Sequence, residues 1–137
     1  MKQVTHSTFT IERVYPSSAE KVFAALSDPV KKRRWFAENK GSKLLAFEMD
    51  FRVGGREHSS FTFEGGPLPP GTVITNETTF KDIVPNHRIV LAYTMAFGEK
   101  PFSASLATFQ LVNDAKGTKL IFTDQGAYFD GSDGAKI

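Results

Sequence analysis

Apolar and polar residues alternate with two different periods along this chain. From Thr8 to Tyr15 the period is two, with Phe9 and Ile11 on one side and Thr10 and Glu12 on the other. This predicts a strand, which Pro16 ends. Ala19, Val22, Phe23 and Leu26 then recur at i, i+3, i+4 and i+7, one face of a helix. Ser17, with Glu20 three residues later, has the spacing of a capping box at its start. Asp28 and Pro29 form a second start signal, an N-cap followed by a first helical residue. Two short consecutive helices are predicted, the second leading into Trp35 and Phe36.

From about Leu44 the period returns to two. Leu45, Phe47, Met49, Phe51 and Val53 alternate with Ala46, Glu48, Asp50 and Arg52, the pattern of a half-buried strand. Gly54-Gly55 supplies a hairpin turn, and Arg56–Glu64 returns with Phe61 and Phe63 inward and His58 outward. Gly65 to Gly71 reads as a stiff loop. Further strands are predicted over Val73–Ile83, Ile89–Phe97, Phe102–Asn113 and Thr118–Asp124, separated by glycine, proline or asparagine. After Asp124 the pattern predicts a glycine turn at Gly126 and an aromatic loop through Tyr128 to Asp130. The first turn of a helix follows from Gly131. Consecutive strands with tight connections make an antiparallel meander, so the fold class is α+β, with a sheet of about six to seven strands. There is no internal repeat, and Met1 to Ile137 reads as one domain.

Composition narrows the function classes. With 40% apolar and 23% charged residues the chain is an ordinary globular protein. A net charge of +2 gives no reason to expect nucleic acid or an anionic membrane as partner. The longest apolar run, Ile89 to Phe97, is about half a membrane span, so no spanning segment is predicted. Absence of cysteine excludes disulfides, thiolate metal sites and thiol nucleophiles. The N-terminal residues lack an apolar leader, and a cytoplasmic protein is the expectation. Thirteen phenylalanines against three tyrosines and one tryptophan either fill a core, their commoner use, or line a cavity for a greasy ligand.

Four stretches, in order, resemble the START-like (helix-grip, or SRPBCC) superfamily. They are Ala19 to Pro29 leading to Trp35, Asp50 to Arg56, Phe80 to Val90, and Gly117 to Gly131. Within it they resemble the bacterial branch related to the activator of the ninety-kilodalton heat-shock protein's ATPase, often labelled polyketide-cyclase-like. The resemblance implies a curved antiparallel sheet gripping a long C-terminal helix, with an elongated apolar cavity between them and Trp35 near its entrance. Members of the superfamily include lipid and hormone carriers, cyclases and co-chaperones, so the fold by itself names no chemistry. Members also continue for some fifteen to twenty residues of amphipathic helix. Because the apolar sheet face needs a cover, the expectation is a lid helix following Ser132, truncated here after Ile137. The alternative is a homodimer in which two sheets cover one another.

Strand parity selects the inward set Phe47, Met49, Phe61, Phe63, Tyr93, Met95, Phe109 and Phe122 as cavity wall. Leu120 and Phe122 place Asp124 on the same face. There its carboxylate would orient a ligand or act as a general base, or else bond backbone amides in a turn before Gly126. Tyr128 would direct its hydroxyl to a ligand or pack beneath the lid. His6, His58 and His87 are too scattered for zinc or a nucleophile system, and neither metal nor cofactor is expected. Lys31-Lys32-Arg33-Arg34 reads as a solvated helix face, or as a grip for an acidic partner. The reading that results is a non-catalytic binding or carrier protein for a small apolar or aromatic molecule such as a lipid, polyketide or isoprenoid. A cyclase or hydrolase using Asp124 and Tyr128 is the alternative, and a chaperone-interaction module the third.

Overall fold

The computed structural model describes residues 3–34, 42–63, 69 and 71–130. The order is β1 (Val4–Tyr15), α1 (Ala19–Ser27), α2 (Pro29–Lys32), β2 (Ser42–Met49), β3 (Arg56–Phe63), β4 (Val73–Val84), β5 (Arg88–Phe97), β6 (Lys100–Asp114) and β7 (Gly117–Phe129). The strands form one seven-stranded sheet in the order β1-β7-β6-β5-β4-β3-β2. Every neighbouring pair is antiparallel. The α+β meander and the two helices are as the periodicity predicts. The residues after Asp130, where a C-terminal helix is predicted, lie outside the described residues, as does Trp35.

Local chemistry accounts for the helices, with one correction. Asp28 caps α2 as predicted, its Oδ1 accepting from the amides of Val30 (2.9 Å) and Lys31 (3.4 Å). The cap of α1 is Ser18, which accepts from Lys21 N at 3.3 Å, and not Ser17. Ser17 is held instead by its carbonyl, which accepts from the Thr118 hydroxyl at 2.8 Å and ties the helix entry to β7.

Two strand predictions also change. The strand predicted to run to Val53 spans only Ser42–Met49, and a bulge between Leu44 and Ala46 turns Leu45 out to 49% exposure. Phe51 and Val53 belong to the turn. β7 does not stop at a glycine turn: it runs through Gly126 to Phe129, paired with β1 on one side and β6 on the other. Gly126 stays in register because the Tyr128 ring folds over it. A Cβ there would lie 2.8 Å from a ring carbon.

Helix α1 packs Val22, Phe23 and Leu26 onto one end of the sheet, against Phe80, Ile89, Leu91, Ala107 and Leu111. Phe80 is the centre of this core, 1% exposed. Its ring meets Phe51 edge-on at 5.0 Å, and Phe51 in turn meets Phe23 edge-on at 5.8 Å. The backbone is pinned at the same place. Gly54 N donates to Phe80 O (2.8 Å) and Phe80 N to Gly55 O (3.0 Å), beside the bulge between Phe80 and Asp82. Gly54 takes φ 83°, a conformation open to glycine at little cost. No helix among the described residues is long and apolar enough to cross a membrane.

Replacing Phe80 by alanine removes the ring that joins α1, the β2–β3 turn and β4. The expected loss is about 3–5 kcal/mol in urea unfolding. A loss under 1 kcal/mol would mean that the ring is not the keystone of this core.

Candidate functional site

Strand register sets which side chains share the helix-bearing, concave face. One row runs Met49–Glu57–Thr78–Tyr93–Ser105–Gly126 across β2 to β7, and the next runs Phe47–Ser59–Asn76–Met95–Ser103–Tyr128. On the other side of the first row lie Phe80, Leu91, Ala107 and Asp124, then Phe109 and Phe122. The expected aromatic wall is therefore interleaved with hydroxyls, an amide and two carboxyls. Glu57, Ser59, Asn76, Thr78, Ser103, Ser105 and Asp124 are all buried. This corrects the picture of a uniformly apolar wall: small polar residues occupy the same inward parity as the large apolar ones.

At the middle of the face Tyr93 donates its hydroxyl to Asp124 Oδ2 at 2.6 Å. Asp124 is 5% exposed, and its other oxygen, Oδ1, is buried without a hydrogen-bond partner, as is the Ser105 hydroxyl. Burial raises the Asp124 carboxyl above its ordinary range, and the Tyr93 hydrogen bond pulls it part of the way back. Burial, then the hydrogen bond and negative charge of Asp124, drive the Tyr93 hydroxyl far above its usual value, so it stays protonated. The turn reading of Asp124 falls, since it sits within β7 opposite Ala107 and Phe9. The residue bonded to Asp124 is Tyr93, which strand parity places in the wall without a role for its hydroxyl. Tyr128 is 9% exposed, its phenol near enough to Tyr93 to oppose ionisation of that hydroxyl further.

A second polar pair lies towards α2. Lys32 Nζ donates to Glu57 Oε1 at 2.6 Å, with both side chains under 10% exposed. The ammonium also stands 5.7 Å from the centroid of the Phe80 ring. The run from Lys31 to Arg34 is thus not uniformly solvated: Lys32 points in, while Lys31, Arg33 and Arg34 are exposed. Leu26, Lys32, Phe80, Ile89, Leu91 and Phe109 enclose a space of about 10 Å³, room for a single water.

The other predicted wall residues are spread over the face. Phe109 and Phe122 meet at 4.8 Å between centroids, beside Asp124. Phe61 and Phe63 pair at 5.4 Å near the β2 edge, where Phe63 is 39% exposed. Phe47, Met49 and Met95 are half-buried between these groups. His58 bonds Glu77 on the convex face. His6 borders an open depression of about 500 Å³ there, lined also by Thr8, Ala104, Leu106, Gln125 and Ala127. No group of three or more His, Asp or Glu suited to a metal occurs among the described residues. Sequence reasoning missed the Lys32–Glu57 pair and the role of Tyr93. A signal for the first was there, because Glu57 shares the inward parity of Phe61.

A curved antiparallel sheet carrying two short helices between β1 and β2 defines the START-like class. The chain belongs to the family described as activator of Hsp90 ATPase homolog 1-like protein, whose sequence profile matches residues 16–134. Among solved structures it is similar to the Mll3558 protein from Rhizobium loti, at 48% identity and a TM-score of 0.84, over 98% of this chain and 88% of that one. It is also similar to an uncharacterized protein from Rhizobium leguminosarum, at 36% identity and a TM-score of 0.88, over 97% and 84% of the two chains. A Staphylococcus aureus protein of unknown function shares the fold, at 17% identity and a TM-score of 0.69, over 96% and 74%. No curated protein matches the chain.

Two stability measurements test this geometry. Lys32→Met or Glu57→Leu alone strands a buried charge and should cost about 3–5 kcal/mol, whereas the double variant recovers most of that loss. Additive losses would show that the two groups are not coupled.

The second measurement uses Asp124, whose carboxyl titrates higher when folded than unfolded. Between the two values the folded state holds a proton that the unfolded chain has released, so this group's contribution to stability falls as pH rises. Relative to wild type, Asp124→Asn should therefore gain stability as pH is raised from about 4, the ordinary carboxylate range, towards neutrality. A difference in melting temperature that is flat with pH would show that folding does not raise this carboxyl.

Proposed function

We propose that the concave face binds a small, largely apolar molecule through one hydrogen-bond-donating group, which Asp124 receives. The observation that carries this reading is the Asp124 carboxyl itself. It is buried, fixed by Tyr93 through one oxygen, and unpartnered at the other. Leaving a buried charged acceptor unmet is costly, and sites of this kind persist where a ligand meets them. Phe109 and Phe122 supply apolar contact on one side, and Ser105 offers a second polar group on the other. Phe47, Met49, Phe61, Phe63, Met95 and Tyr128 complete the proposed lining. Such a site follows the usual division of labour, with apolar burial for affinity and a few polar groups for orientation.

The convergence of two or three polar groups favours a second reading, an enzyme in which Asp124 acts as general base on the bound molecule, with Tyr93 holding it in place. Burial that raises a carboxyl makes it a stronger base than an exposed one. The family's name carries a third reading, a chaperone contact; the exposed Lys31, Arg33 and Arg34 are where acidic surface would be met.

Mass spectrometry of small molecules carried by the native protein identifies the ligand, and titration with that molecule measures it. Asp124→Ala should weaken binding by roughly 10- to 100-fold, the worth of a charge-assisted hydrogen bond. If Asp124→Asn binds as wild type but turnover of the ligand disappears, the general-base reading holds. If Asp124→Ala binds the molecule unchanged, the site is elsewhere.

A further inference from the structure

We propose that β1 is a pairing edge for a second copy of this chain, the two strands running antiparallel about a two-fold axis through Phe9. Among the described residues β1 ends the sheet, and all twelve of its residues are exposed. Its register with β7 is unbroken from Val4 to Tyr15, and it contains neither proline nor lysine. The opposite edge differs. β2 has eight residues, a bulge at Leu45, and Lys43 beside it, the devices that keep edges from pairing.

The outward backbone groups can be assigned. Asp130 N donates to Gln3 O at 2.7 Å and Gln3 N to Asp130 Oδ1 at 3.2 Å, so Gln3 faces β7. Antiparallel ladder bonds alternate along a strand. Odd-numbered residues of β1 therefore bond β7, and even-numbered ones from Val4 to Val14 direct N–H and C=O off the edge. A two-fold axis normal to the sheet pairs residues of the same face. Centred on Phe9, it sets Val4 against Val14 of the second copy, His6 against Glu12, Thr8 against Thr10, and Phe9 against Phe9. Each is a favourable cross-strand pair, and each outward N–H meets a C=O. Slipping by two residues either way sets Val4 against Glu12 or His6 against Val14. The chosen register also shelters Phe9, which is 42% exposed although its ring lies 6.0 Å from Phe122. The product is a continuous sheet with its two concave faces side by side. A single strand pair buries less than the ~1,600 Å² of a standard interface, so association depends on concentration.

The test uses the full chain. Sedimentation equilibrium should show a monomer–dimer equilibrium, and Thr8→Pro should weaken it at least tenfold with the monomer still folded, because the lost N–H points away from β7. Since the chain has no cysteine, Phe9→Cys should form a disulfide-linked dimer under mild oxidation. Ser7→Cys should not, because its counterpart in the second copy lies too far along the strand. A wild-type protein that stays monomeric at the highest attainable concentration overturns the proposal. So does a dimer indifferent to Thr8→Pro, or cross-linking of Ser7→Cys as readily as Phe9→Cys.

Discussion

Phe80 stands where the separate parts of this molecule are joined. Its amide and carbonyl are bonded to the Gly54–Gly55 turn. Its ring receives Phe51 from that turn, and the Lys32 ammonium stands near it from α2. The bulge that follows at Lys81 bends β4 where these contacts converge. A meander by itself fixes only the neighbours within a sheet. Holding the two helices at one end of the concave face needs a contact that reaches across the layers, and Phe80 supplies it. The Lys32–Glu57 pair then fixes how α2 sits, because a buried charge tolerates few positions for its partner.

With the helices gathered at one end, the rest of the concave face is polar and apolar by turns. Burying hydroxyls and carboxyls beside phenylalanines gains little for folding unless they are bonded. Thr78 does bond, donating to Asn76 at 2.9 Å, and Tyr93 bonds Asp124. Ser59, Ser105 and one oxygen of Asp124 are left with hydrogen-bonding capacity unused. Such groups weaken a core that serves folding alone, and they are what a recognition surface requires.

Much of the architecture was legible in the sequence for a simple reason. Strands and helices differ in period, and large apolar residues mark that period clearly. The Asp28-Pro29 start, the seven strands and the inward parity of Phe61, Phe122 and Asp124 all follow from side-chain spacing. The ends of elements were less legible. Gly126 looked like a turn because glycine usually breaks strands, yet here it makes room for the Tyr128 ring and β7 continues. Leu45 looked inward because alternation cannot show a bulge, which exists only relative to the neighbouring strand.

By itself, then, the sequence determined the fold class, the meander order and the face to which each strand residue belongs, all of which depend on neighbours along the chain. Only the tertiary structure decided which of those residues meet. Tyr93 and Asp124 are thirty-one positions apart, and Lys32 and Glu57 twenty-five. Their pairing depends on strand register and helix docking, long-range quantities that leave no periodic trace in the chain. Serines and threonines carry the site's polarity without marking any period, so their arrangement in rows appeared only when the strands were set side by side.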